Sequence, residues 1–244
     1  MSTLSVVFNR EFKTYFATPI AAIFIVIFLA LGNALTFFLG GFFDKGQADL
    51  QSFFNFHPWL YLFLIPAVTM RLWAEERKTG TIEFFLTLPI SMRDAVLGKF
   101  LAAWAFTGVA LILTIPLWLT VTYLGDPDHG VIFASYVGSF LMAGAFLALG
   151  SMISALTKNQ VIAFVITATV CFLMVMSGSP MTMGFLGDWA PAWLADGISG
   201  LSFLTHFNQL SQGVIRLVDV IFFVSIMVGA LGLNIIFVDQ KKAA

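Results

Sequence analysis

The stretch Met70–Asp94, MRLWAEERKTGTIEFFLTLPISMRD, is the longest polar island between two strongly apolar segments. It carries Arg71, Glu75, Glu76, Arg77, Lys78, Glu83, Arg93 and Asp94. Ala74 to Lys78 reads as the preceding helix extended into water. Thr79-Gly80 breaks that helix, because Gly80 supplies a backbone conformation that other residues resist. Ile82, Phe85 and Leu86 then recur at i, i+3 and i+4 with Glu83 on another face, the pattern of a short amphipathic helix along a membrane surface. Leu88-Pro89 ends it, since the residue before proline avoids the α region. The helix is expected over 81–88. A solvated loop with a cluster of cations would have the same composition. The three glutamates weigh against that plainer reading, because acids do nothing for topology yet suit a partner with a polar docking groove.

Outward from the island the chain is apolar. Of its 244 residues, 59% are hydrophobic and 10% charged, against roughly 25% charged in soluble domains. With a mean hydropathy of +0.95, the chain reads as a polytopic membrane protein. The net charge of −1 gives no long-range field toward nucleic acid. The single cysteine, Cys171, excludes an internal disulfide and reads as a small membrane-buried residue. No signal peptide is expected, because the apolar run after Pro19 exceeds the ~7–15 residues of a signal core and no small-residue cleavage site follows.

Six spans are expected. Residues 3–17 place Leu4, Val7, Phe8, Phe12, Tyr15 and Phe16 on one face and Arg10, Lys13 and Thr14 opposite, as in an amphipathic interfacial helix. The first span follows from Pro19 to about Phe42, and 44–57 reads as a polar loop. The second runs from Pro58 to about Trp73, kinked by Pro66. The third begins at Ser91, with Asp94 forming a capping-box-like start, and reaches Leu124 across Pro116. GDPDHG at 125–130 is a turn by composition. The fourth span covers about 131–157, with Gly138, Gly144 and Gly150 permitting close helix approach. The fifth covers 161–176. Residues 177–218 hold apolar pieces at 189–198 and 203–217, too short to span, which read as two interfacial or re-entrant helices. The last span is 219–238, with Asp219 as N-cap.

Six spans put both termini on one side, with Arg10, Lys13, Arg71, Arg77, Lys78, Arg93, Lys99, Lys158, Lys241 and Lys242. Only Lys45 and Arg216 fall on the other, which collects Asp44, Asp49, Asp126, Asp128, Asp188, Asp196 and Asp219. The positive-inside rule places the termini and the island in the cytoplasm. No repeat of 20–50 residues and no inverted half-repeat is evident.

Several chemistries are excluded or disfavoured. A P-loop is absent: Gly98-Lys99 is followed by Phe100, and Lys78-Thr79 is preceded by Arg77. Any ATP-driven step therefore needs another chain. The span centres are nearly free of ionisable groups, which disfavours ion-coupled carriers and intramembrane enzymes. Lys99, about a turn and a half inside the third span, is expected to snorkel to the interface. His57, His129 and His206 are assigned outside and form no metal motif. Met174, Met176, Met181 and Met183 could handle a soft metal, but read as gap-filling side chains. The tryptophans near helix ends read as aromatic belts.

MRLWAEERKTGTIEFFLTLPIS followed by VLGK resembles the permease subunits of ABC-2 type transporters. FKTYFATPIAAIF, SALTKNQVIAF and FLTHFNQLSQGVIRLVDVIFF extend the resemblance over nearly the whole chain, nearest to the gliding-motility and nitrous-oxide-reductase-maturation permease subgroup. One departure is Arg216, where that subgroup often carries an acid. The resemblance implies an all-α integral membrane fold of six transmembrane helices. It also implies a single domain, 1–244, with an elbow helix at 3–17, a coupling-helix loop at 74–90 and re-entrant outer helices at 177–218. It further implies a non-catalytic subunit of the bacterial inner membrane with no cofactor of its own. ATP and Mg would be bound by cytoplasmic ABC ATPase partners, and a second permease subunit, a homodimer in preference to a heterodimer, would complete the complex. Glu75, Glu76, Arg77, Gly80, Thr81 and Glu83 would couple permease to ATPase in support of export. The alternative is mechanotransmission to a periplasmic or membrane-anchored auxiliary protein, without transport. An ATP-independent channel or carrier is a third reading.

Overall fold

Long apolar runs in lipid must satisfy every backbone group internally, which leaves helices as the economical solution for this sequence. The computed structural model describes residues 2–81, 91–187 and 190–240, and among them every regular element is a helix. Helix α1 is Thr3–Ala17 and α2 is Pro19–Ala34, continued by a π-helical turn at Leu35–Leu39. Then come α3 (Gln51–Asn55), α4 (His57–Thr69), α5 (Ala74–Thr79), α6 (Met92–Ile112) and α7 (Ile115–Leu124). The long α8 (His129–Leu156) is followed by α9 (Gln160–Met176), α10 (Pro180–Gly187), α11 (Ala192–Ser199), α12 (Phe203–Ser211) and α13 (Leu217–Gln240).

Helix α8 is the axis. It packs against α4, α6, α9, α12 and α13, and small residues make this possible. A Cβ on Gly150 would lie 2.2 Å from Thr69 Oγ1, one on Gly144 2.6 Å from Met227 Sδ, and one on Gly138 2.8 Å from Leu210 Cβ. The predicted cap at Ser91 holds, and caps that were not predicted join it. Ser91 Oγ accepts from Asp94 N at 3.0 Å, and Asn159 Oδ1 accepts from Val161 N at 2.9 Å. Asp128 Oδ1 caps α8 by accepting from Gly130 N and Val131 N.

Four helical stretches are long and apolar enough to cross a membrane: Ala21–Leu39, Met92–Leu124, His129–Leu156 and Leu217–Gln240. The pair α9 and α10, bent by 74°, passes the same test as a unit. The second expected span is α4, only 13 residues, or about 20 Å.

Five expectations change. Residues 51–55, read as loop, form α3, and Phe53 and Phe54 are buried there. Their aromatic rings pack on each other and on that of His57, which also meets Phe28 of α2. His57, the end of the stretch read as a polar loop, is fully buried, with Nδ1 2.7 Å from Ser139 Oγ. Ser139 lies ten residues along α8, about 15 Å from its start. Residues 177–218 hold three helices rather than two. The third, α12, packs against α3, α8, α9 and α13, burying Phe203, Phe207 and Leu210. Asp219 is not a cap but lies in the first turn of α13, buried and ion-paired. Finally, Lys99 does not reach outward to solvent: it is 2% exposed.

Candidate functional site

Lys99 is held where α1, α5, α6 and α8 meet, at the end of the bundle that carries most of the cations. Its Nζ donates to Glu76 Oε1 at 2.7 Å and to Glu11 Oε1 at 3.1 Å, and lies 5.3 Å from the centre of a Trp73 ring. An ammonium taken out of water needs this kind of charged and hydrogen-bonded company. Helix α1 delivers Glu11 because it lies along α6 instead of only resting on a membrane surface. Val7 fits against Gly98, where a Cβ would come within 2.7 Å of Val7 Cγ1. Two turns on, Tyr15 stacks on Phe106 with ring centres 4.9 Å apart. Val7, Glu11 and Tyr15 recur at i, i+4 and i+8, so one helix face carries all three. Burial pushes the Glu11 carboxyl up, but Lys99 and Arg10 outweigh that and hold it below the usual glutamate range.

The start of the polar island is braced to α8. The chain turns between α4 and α5, which orphans backbone groups at both helix ends. Ser154 of α8 satisfies three of them. Its Oγ accepts from Trp73 N at 3.2 Å and Ala74 N at 3.1 Å, and donates to Met70 O at 3.1 Å. One turn earlier, Ser151 Oγ accepts from Trp73 Nε1 at 3.3 Å and from Asn234 Nδ2 of α13 at 2.8 Å. Arg77 Nη1 donates to Ala155 O at 2.7 Å, meeting a carbonyl from the last turn of α8.

The residues singled out in the sequence fall into three groups. Glu76 and Arg77 point inward, to Lys99 and Ala155. Glu75 lies on the surface of α5, where Arg71 grips it with Nε at 2.6 Å and Nη2 at 2.9 Å. That hydrogen bond holds the Glu75 carboxyl below its usual range and raises the Arg71 guanidinium. Gly80 and Thr81 end the segment. Gly80 has φ +73° and closes α5 in the left-handed conformation that glycine adopts without strain. Thr81 is exposed and its Oγ1 lies 2.9 Å from Thr79 Oγ1. Glu83 and the amphipathic helix expected over 81–88 lie, beyond Thr81, outside the described residues. Lys78 and Lys158 line a cavity of about 360 Å³ beside the end of α5, together with Thr157, Asn159, Gln160 and Val161.

Sequence reasoning missed Glu11, Ser151, Ser154 and Asn234. Glu11 had a usable signal, an acid in the middle of the apolar stripe of an amphipathic helix. The two serines had a weaker one, a spacing of three residues in the last, mostly Gly, Ala and large apolar, half of the helix. Among the described residues no group of three or more His, Cys, Asp or Glu is arranged to hold a metal ion.

Compared with known proteins, the chain matches over residues 5–237 a family model described as "ABC-2 family transporter protein". No curated protein matches it.

Proposed function

The chain belongs to the ABC-2 family of transporter proteins, and on that premise we propose that the braced island couples a separate cytoplasmic ATPase to movement of the spans. A multi-pass permease subunit with no P-loop must receive its energy from another chain. Glu75, Glu76, Arg77, Gly80, Thr81 and Glu83 are proposed as the coupling residues. Within this group the work divides. Gly80, Thr81, Glu83 and the segment to 90 face the ATPase, along with Lys78 and its cavity. Glu76 and Arg77 carry displacement inward, to α6 and α1 through Lys99 and to α8 through Ala155.

The observation that carries this reading is the bridge at Lys99, which ties the island to α1 and α6 at 2.7 and 3.1 Å. A loop serving only topology needs no such internal anchorage. Six spans, with α4 as the second, put both termini and the island in the cytoplasm of a bacterium. Two such subunits, identical in preference to different, assemble with two ATPases in the inner membrane to drive export.

Binding of the ATPase tests the reading. The full chain and its cognate ATPase are co-expressed, and residues 81–88 are replaced by a Gly-Ser segment of equal length. The ATPase is expected to co-purify with the parent and to be lost from the variant. An ATPase that stays bound to a variant which remains folded would overturn the docking role. Hydrolysis that remains coupled in the absence of any translocated solute would move the reading to mechanotransmission.

A further inference from the structure

At the opposite, acid-rich end of the bundle, His206 of α12 sits between two oxygens. Its Nδ1 is 2.6 Å from Asp219 Oδ1 and its Nε2 is 3.1 Å from the backbone carbonyl of Gly200. The ring stacks on Phe222 with centres 3.9 Å apart. Asp219 is fully buried and also accepts from Arg216 Nε at 3.0 Å and Nη2 at 3.3 Å. His206, Asp219 and Arg216 are the ionisable groups of the cluster. Asp196, exposed on α11, lies four residues before Gly200 and is the remaining acid on the adjoining element. The other elements packed against α12 bring little. Helices α3 and α9 contain no Asp, Glu, Lys, Arg or His. On α8 the titratable groups are His129, which accepts from Trp118 Nε1 at 3.0 Å, and Tyr136, bonded to Thr114.

A carbonyl oxygen only accepts hydrogen bonds, and so does an ionised carboxylate. Both contacts of His206 therefore need a proton between the heavy atoms, and together the ring and Asp219 must hold two. A neutral imidazole facing a carboxylate holds one. On losing the second proton to water, the ring keeps its N–H where the charge is, on Nδ1 toward the buried Asp219. Nε2 is then a bare lone pair facing the Gly200 oxygen, and attraction becomes repulsion. Gly200 is the residue that closes α11, with its own N–H bonded back to Asp196 O at 2.9 Å.

We propose that His206 and Asp219 form a proton-binding site that latches the turn between α11 and α12 to the start of the last span. With the proton bound, the turn is tied. Without it, the α11 segment is released while the Asp219–Arg216 pair remains. The ligand is the proton itself, supplied from the side of the membrane that this end faces. The latch is thus closed in acid and open in alkali.

Two measurements on the full chain in nanodiscs test this at about pH 5.5 and about pH 8.5, either side of the range where histidines ordinarily titrate. Nitrogen-15 NMR of the histidine rings reads the protons in the unmodified protein. The His206 ring is expected to show both N–H groups in acid and to lose the Nε2 proton in alkali. A nitroxide on Gly197→Cys, where a side chain meets open space, reads the segment in a Cys171→Ala background. Its line is expected to narrow as the pH is raised, and to be narrow at both values in His206→Phe. A His206 ring carrying one proton at the acid pH overturns the proposal. So does a label whose mobility is the same at both pH values. Should His206→Phe fail to fold, the proton count in the unmodified protein decides.

Discussion

Ser154 carries three hydrogen bonds from a single hydroxyl, and its burial leaves no water to replace them. Ser154→Ala would strand the Trp73 and Ala74 N–H groups and the Met70 carbonyl at once. An unsatisfied buried donor or acceptor costs about 1–3 kcal/mol. The expected outcome is a loss of at least about that size in a thermal or denaturant unfolding measurement in detergent. Ser225→Ala is the control, because Ser225 is exposed and bonds only within its own helix. Changes at such sites usually stay within about 0.5 kcal/mol. An equal effect from both serines would contradict the bracing role. Lys99 shows the same logic with charge. In sequence it reads as a snorkelling lysine, since depth along a helix is visible there and the partner is not. Its acceptors come from 88 residues before it, in the case of Glu11, and 23 before it, in the case of Glu76. Glu11 itself was legible as an acid on an apolar face, a local conflict that only a buried cation resolves.

Between elements, helix approach is set by where side chains are missing. Gly150→Ala would place a methyl 2.2 Å from Thr69 Oγ1 and 2.7 Å from Thr69 Cβ, forcing α4 away from α8. Overpacking of this kind costs about 1–3 kcal/mol. It would also pull the α4–α5 turn off Ser154. Gly229→Ala on α13 meets open space and should instead gain up to about 1 kcal/mol from helix propensity. Opposite signs in one unfolding assay are the expected result, and a neutral Gly150→Ala would contradict the close crossing. The sequence reading placed the long helices, and the Ser91 cap among their starts, because a long run of apolar residues leaves lipid few alternatives. It was weaker between 44 and 57 and between 177 and 218. There the apolar pieces are short and interrupted, by polar residues in the first stretch and by Gly and Pro in the second, and periodicity alone does not distinguish a helix lying on a surface from one buried among others. Phe53, Phe54, Phe203 and Phe207 fixed that outcome through contacts distant in sequence.

Across the whole molecule, two ends of the bundle carry different electrostatics. The basic end couples the polar island to α1, α6 and α8 through buried ionic and hydroxyl contacts. The acidic end ties short helices to the last span through His206 and Asp219. The long α8 joins them, with Ser135 bonded to the Ser211 carbonyl of α12 near one end and Ser154 bracing the α4–α5 turn near the other. Under the proposed coupling, a push on the island would meet this braced axis instead of a loose loop. Family membership identifies the kind of machine; the bridge at Lys99 is where the proposed coupling would pass from the island into the spans. Lys99→Met keeps the apolar stem and removes the charge that joins α1 to the island. The decisive measurement is ATP hydrolysis by the complex of this chain with its cognate ATPase in proteoliposomes, compared between the parent, Lys99→Met and Lys99→Arg. The ATPase is expected to remain bound in all three. Permease-dependent hydrolysis should fall at least about tenfold in Lys99→Met, equivalent to about 1.4 kcal/mol of lost coupling, and recover substantially in Lys99→Arg. Hydrolysis at the parent rate in a folded Lys99→Met complex would contradict the coupling role of the bridge.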